Sequence, residues 1–177
     1  MPESSTPRVP LWALVASGAA LVLGLALVKD RRASPIDRAP PLSLPLLDGK
    51  QQKLEAGTVT ILDFWATWCA PCRASMPRVQ HVFHDYAPRG VALFSIDTDA
   101  DGADRDPTVR EFLLQNRLDF PVTLDDGAAQ DAFKVSALPT MLVVAKDGRV
   151  AWRRTGVLDA GEERELRRVL DDALAAK

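Results

Sequence analysis

The chain contains two cysteines, Cys69 and Cys72, and only two residues, Ala70 and Pro71, separate them. Thiols at this spacing, placed after a strand and at the start of a helix, can close a small disulfide ring with little backbone rearrangement. The partial positive charge of a helix N-terminus stabilises a thiolate on the first of them, so a sulfur that ordinarily titrates near about 8.5 becomes a nucleophile at neutral pH. Cys69 is therefore predicted to be exposed and attacking, and Cys72, one turn into the helix, to be the resolving thiol. Pro71 pre-sets the first helical turn and removes an amide that would otherwise lack a partner.

Three other uses of the pair fit less well. Covalent haem attachment needs a histidine directly after the second cysteine, and Arg73 stands there. A zinc site would have to recruit His81 and His84, but eight residues separate Cys72 from His81 on what should be one straight helix. The usual gap is about 12 or more, and ligands strung along one helix cannot close around a metal. A purely structural disulfide closing so short a loop constrains the unfolded chain little. Redox exchange is the chemistry that remains, with no metal and no cofactor beyond the Cys69–Cys72 disulfide itself.

The elements that must position this pair alternate. Thr58–Trp65 reads as a buried strand, Ala70–Tyr86 as a helix and Val91–Ile96 as a second strand. A helix over Pro107–Asn116, a strand over Phe120–Leu124 and a short helix over Ala128–Phe133 follow. Thr140–Ala145 and Arg149–Arg154 make a hairpin through Lys146-Asp147-Gly148. Ala160–Ala175 closes the chain as a helix with Leu166, Val169, Leu170 and Leu174 on one face. Strands separated by helices and ending in a hairpin plus helix imply a layered α/β domain, a mixed central sheet with helices on both faces. Asp97-Thr98-Asp99-Ala100-Asp101-Gly102 matches the opening of a calcium loop, but the twelfth position is Thr108 rather than a bidentate Glu. It reads as a solvated acidic loop.

The N-terminal stretch is a different material. Leu11–Val28 is eighteen residues without a charge, roughly 27 Å as helix and close to bilayer thickness. Lys29-Asp30-Arg31-Arg32 follows, a poor context for signal cleavage. Residues 1–33 are predicted to be an uncleaved membrane anchor with its flanks. Residues 34–45, which include four prolines, read as an extended linker, and 46–177 as the folded domain. The chain has 22 basic and 24 acidic side chains, which gives no electrostatic case for binding nucleic acid. A composition of 47% apolar residues suits a packed core rather than disorder.

The segment Asp63–Arg73, DFWATWCAPCR, resembles the active-site signature of the thioredoxin superfamily, and more closely that of membrane-anchored TlpA/ResA-like thiol–disulfide oxidoreductases. Pro77 matches that superfamily's helix proline, Phe120-Pro121-Val122 with Leu124-Asp125 resembles the segment after the branch's central insertion, and VSALPT over Val135–Thr140 matches its cis-proline loop. The resemblance implies a thioredoxin-like fold, a cis peptide at Pro139, pairing of the Leu138 backbone with an extended substrate peptide, and a site that Trp65 and Trp68 would line, although Trp65 reads better as a core residue, with Pro71 and Pro139 beside the sulfurs. It implies that Asp63 is a buried acid moving a proton for Cys72; an acid inside an apolar strand is expensive without such a task or a partner. Two positions depart from the pattern. Ser75 stands where the branch usually carries Glu, and Ala137 where Gly is common.

The resemblance further implies a reductase of protein disulfides, in a role such as cytochrome c maturation, fed by a membrane thiol-electron donor of DsbD/CcdA type. It places the domain outside the bacterial inner membrane, on a single-pass anchor. The basic residues Lys29, Arg31 and Arg32 after the span, taken alone, favour the cytoplasmic side. A non-catalytic chaperone or copper-delivery module built on the same two thiols is the alternative.

Overall fold

The computed structural model describes residues 36–176. The predicted membrane anchor and its flanks, and the first two residues of the predicted linker, lie outside the described residues. Among the described residues no helix is long and apolar enough to cross a membrane.

Among the described residues seven strands and four α-helices follow one another as β1 (Ser43–Pro45), β2 (Gln51–Lys53), β3 (Thr60–Trp65), α1 (Ala70–Tyr86), β4 (Ala92–Asp97), α2 (Arg105–Asn116), β5 (Val122–Leu124), α3 (Ala128–Ala132), β6 (Thr140–Val144), β7 (Val150–Thr155) and α4 (Ala160–Ala175). The central sheet has the order β5-β4-β3-β6-β7. Strands β3, β4 and β5 are parallel, and β6 and β7 join antiparallel. The sheet is therefore mixed, as the sequence predicts, and β3 lies at its centre. All six β3 residues are buried, the pattern of a strand covered on both faces rather than half-solvated.

Alternation along β3 sends its side chains to two separate cores. Ile61 and Trp65 face a cluster built from α1 (Met76, Val79, Val82), α2 (Val109, Phe112) and α4 (Leu166, Leu170). Leu62 and Phe64 face the opposite cluster, with Phe94, Ile96, Leu142, and Ala129 and Phe133 at α3. Leu166 and Leu170 are fully buried, each contributing about 1.5–3 kcal/mol of burial. That is how the apolar stripe of α4 is used.

The proline-rich tract is extended as predicted, but its described part is not a free linker. Asp37 and Ala39 hydrogen-bond the backbone of Val150 and Gly148 at the β7 edge. Leu42 and Leu44 pack on the second core, β1 pairs with β2, and Leu47 N–H bonds Val122 at the β5 edge. The segment thus straps one face of the sheet and covers both edges, which would otherwise present unpaired backbone groups. The folded unit accordingly begins well before residue 46. In the β6–β7 turn Gly148 has φ +82, the left-handed conformation a tight Asp-Gly turn requires.

The acidic loop is also a correction. Asp97 is fully buried, and the Arg105 Nε donates to its carboxylate at 2.8 Å. The same guanidinium bonds Asp101 and the carbonyls of Asp97 and Asp125. A side-chain cation occupies the place where a calcium-loop reading would put a metal, and the loop is pinned rather than merely solvated. Helix α2 begins at Arg105 rather than Pro107. Pro107 remains in the first turn, where a missing N–H costs nothing.

Candidate active site

The cysteines sit where β3 hands over to α1. Cys69 is the N-cap of α1, with φ −79 and ψ 98, and its Sγ accepts the backbone N–H of Cys72 at 3.2 Å. Pro71 lies in the first turn as predicted. A disulfide joins Cys69 and Cys72, with their Cα atoms 5.2 Å apart. His81 and His84 are exposed on the same helix, and His84 bonds Asp119 instead of reaching the sulfurs.

Cys69 is less open than the sequence suggests, at 4% exposure. It is reached through a cleft of about 500 Å³ walled by Trp68, Cys69 and Pro71 on one side and Ala137 and Leu138 on the other. Cys72, 1% exposed, is not among the lining residues. The two sulfurs are therefore inequivalent: one borders the cleft and the other lies beneath it. The Leu138–Pro139 peptide is cis.

The two tryptophans divide between site and core, as expected for Trp65. Trp68 stands at the mouth, 69% exposed, whereas Trp65 is fully buried. Trp65 stacks on Phe112 with ring centroids 5.3 Å apart, and its indole N–H donates to Ser95 Oγ at 2.8 Å. Stacking and a satisfied N–H are the signs of a core residue. The cleft also takes Thr98, Gln130, Val135 and Ser136. Ser136 and Val135 could have been found from the VSALPT loop; nothing local in the sequence marks Thr98 and Gln130, which the β4–α2 loop and α3 bring in.

Asp63 shares the α1-facing side of β3 with Ile61 and Trp65, the side on which Cys72 also packs. It is 3% exposed, and burial alone pushes its carboxyl up to about 7. Among the described residues no neighbouring charge offsets the shift, so the acid is poised to exchange a proton near neutrality. Ser75 is buried on the next turn of α1. Its hydroxyl donates to Pro71 O at 3.2 Å and accepts Leu158 N–H at 2.9 Å. This position carries no acid here; it carries a tether.

The Cys69 loop is held from the other side by Asp99. Its carboxylate accepts the Thr67 N–H at 3.0 Å and the Thr67 hydroxyl at 2.6 Å. The Leu138 wall is held by Arg153, which donates to the carbonyls of Phe133 and Lys134 at 2.8 Å each. Both cleft walls are thus fixed by buried or half-buried polar groups.

Residues 35–170 match the Redoxin family. The chain is 31% identical over 147 residues to the thiol-disulfide oxidoreductase ResA of Bacillus thuringiensis (strain Al Hakam), an alignment covering 81% of this chain and 83% of that relative. Its fold is similar to that of a thiol:disulfide interchange protein of the thioredoxin family from Chlorobium tepidum TLS. That match has a TM-score of 0.67 at 25% identity, over 81% of this chain and 100% of the other. A similar likeness joins it to MTB dsbF in its mixed oxidized and reduced forms, with a TM-score of 0.63 at 26% identity over 75% and 94% of the two chains. The cleft-facing disulfide, the cis-proline wall and these relatives agree: the chain belongs to the Redoxin family, as a ResA-like thiol–disulfide oxidoreductase of thioredoxin-like fold.

Proposed function

We propose that this oxidoreductase acts as a reductase of protein disulfides on the outer side of a bacterial inner membrane, held there by residues 11–28. The observation that carries the exchange chemistry is the inequivalence of the two sulfurs, with Cys69 bordering the cleft and Cys72 covered behind it. In the reduced protein the Cys69 thiolate, favoured by the α1 N-terminus and the Cys72 N–H, attacks one sulfur of a substrate disulfide. A bond forms between Cys69 and that sulfur while the other substrate sulfur leaves as a thiolate. Cys72 then gives its proton to the Asp63 carboxylate and attacks Cys69 Sγ. The second substrate sulfur leaves, and two electrons have passed from the protein's dithiol to the substrate. Trp68, Pro71 and the Leu138–Pro139 segment hold the substrate peptide across the cleft, the Leu138 backbone pairing with it.

The resulting Cys69–Cys72 disulfide is reset by an external dithiol, for which a membrane donor of DsbD/CcdA type is the natural class. The uncharged span over Leu11–Val28 supports tethering, and the similarity to the thiol-disulfide oxidoreductase ResA supports the exchange chemistry; the reducing direction and a role such as cytochrome c maturation rest on the resemblance of the Asp63–Arg73 signature to the TlpA/ResA branch. No metal or separate cofactor enters this scheme. Replacing Cys72 by Ser removes the resolving step, so the Cys72→Ser protein is expected to accumulate covalent partners through Cys69 that dithiothreitol releases. Their identification by mass spectrometry names the substrates, and a variant that captures nothing contradicts the scheme.

A further inference from the structure

We infer that Ser75 is a positioning residue of the exchange reaction, its hydroxyl tying the Cys69–Cys72 turn to a strap over residues 155–158 that also grips the cis-proline wall. The strap thereby sets the width of the cleft that a substrate peptide must span. This inference rests on the proposed exchange at Cys69.

The strap has anchors on both walls. On the cysteine side, Leu158 N–H donates to Ser75 Oγ at 2.9 Å and the Ser75 hydroxyl donates onward to Pro71 O at 3.2 Å, between the two sulfurs in sequence. Ser75 and Leu158 are both buried, and the Leu158 N–H depends on the Ser75 hydroxyl for its partner. On the proline side, Gly156 N–H donates to Pro139 O at 2.9 Å. The Thr140 hydroxyl donates to Ala137 O at 2.7 Å, which leaves Thr155 to donate to Thr140 Oγ1 at 2.9 Å. The chain must turn sharply to reach from one wall to the other, and Gly156 does so at φ +109, a conformation side-chain-bearing residues rarely adopt.

Ser75 contributes to local geometry and not to the docking of α4 on α1. That docking is carried by Leu166 and Leu170 in the core and by the Arg78–Glu163 ion pair at 2.7 Å. Removing the hydroxyl therefore frees the strap while the helices stay in place. A peptide that must touch both walls registers the loosened spacing in its binding. A small disulfide that needs only the Cys69 sulfur does not.

The test uses the full chain, reduced, as wild type, Ser75→Ala and Ser75→Thr. Two disulfides serve as probes: disulfide-bonded insulin and the small aromatic disulfide dithio-bis-nitrobenzoate. For Ser75→Ala the KM for insulin is expected to rise about fivefold with kcat within about twofold, the effect of losing one or two buried hydrogen bonds. The rate with the small disulfide should stay within about twofold, and Ser75→Thr, which keeps the hydroxyl, should restore the KM. Should Ser75→Ala not fold, Thr155→Val breaks the opposite, exposed anchor and is expected to raise the same KM. An unchanged insulin KM overturns the inference, as does a small-disulfide rate that falls in step with it. Wild-type protein inert toward both probes overturns the proposed exchange itself, and this inference with it.

Discussion

Asp63 and Asp97 lie on neighbouring strands, both buried, and they show two ways for one residue type to be tolerated in a core. Asp97, at the end of β4, has the Arg105 guanidinium against its carboxylate. Burial pushes its pKa up to about 6 while the Arg105 bond pulls it back, and the pair pins the β4–α2 loop. Asp63, in the middle of β3, has no such cation among the described residues, and burial takes it to about 7. The difference is one of task. A paired buried acid is ionised and architectural; an unpaired one sits near the point of proton exchange, and here it lies on the face that carries Cys72.

Four measurements can break or sharpen this contrast. The largest effect belongs to Asp63 and pH. Its folded pKa lies above the unfolded value of 3.8, so the fold favours the protonated form. Its contribution is intact below about pH 4 and is lost as pH rises through about 7. By about pH 8 the cost of ionising it in the core is about 4 kcal/mol. Asp63→Asn should abolish that slope, matching wild type in acid and exceeding it in mild alkali, as read by urea unfolding across the range.

Next, Arg105→Met leaves Asp97 charged and alone, and should lower stability by about 3 kcal/mol at neutral pH in the same unfolding assay. Asp63→Asn should also slow resolution of the mixed disulfide about 100-fold at neutral pH, as expected when a positioned proton acceptor is removed; stopped-flow tryptophan fluorescence would follow it. The smallest effect comes from removing both members of the ion pair. Asp97→Asn with Arg105→Met should cost only about 1 kcal/mol, less than Arg105→Met alone, because no orphaned charge stays behind. A double variant as damaged as the single one would mean that Arg105 acts through its carbonyl bonds rather than through Asp97.

Much of the site was legible because its signals are local. A strand, two cysteines at fixed spacing and a proline in the first turn define the β3–α1 junction by themselves, and α1 and α4 fall at the predicted bounds. What escaped depends on partners distant in sequence. The prolines of the tract before residue 46 argued for a linker, yet Leu42 and Leu44 find a face built from β3, β4 and β6. Arg105 reads as an ordinary helix-start residue, and only the fold brings it to Asp97 and Asp125 together. Ser75 registers in the sequence as a missing Glu; its bond to Leu158 spans 83 positions. Cys69 is more sheltered than its place at the helix start implies, and the Leu138 wall that faces it across the cleft comes from a loop distant in sequence.

The central claim, that Cys69 is the attacking sulfur and Cys72 the sheltered one, is tested most directly by alkylating the reduced protein with iodoacetamide over a pH series and locating the adduct by peptide mass spectrometry. Cys69 should be modified first, with an apparent pKa well below the ordinary thiol value of about 8.5, while Cys72 lags. Equal modification of the two sulfurs, or a Cys69 that reacts no faster than an unperturbed thiol, would contradict the account.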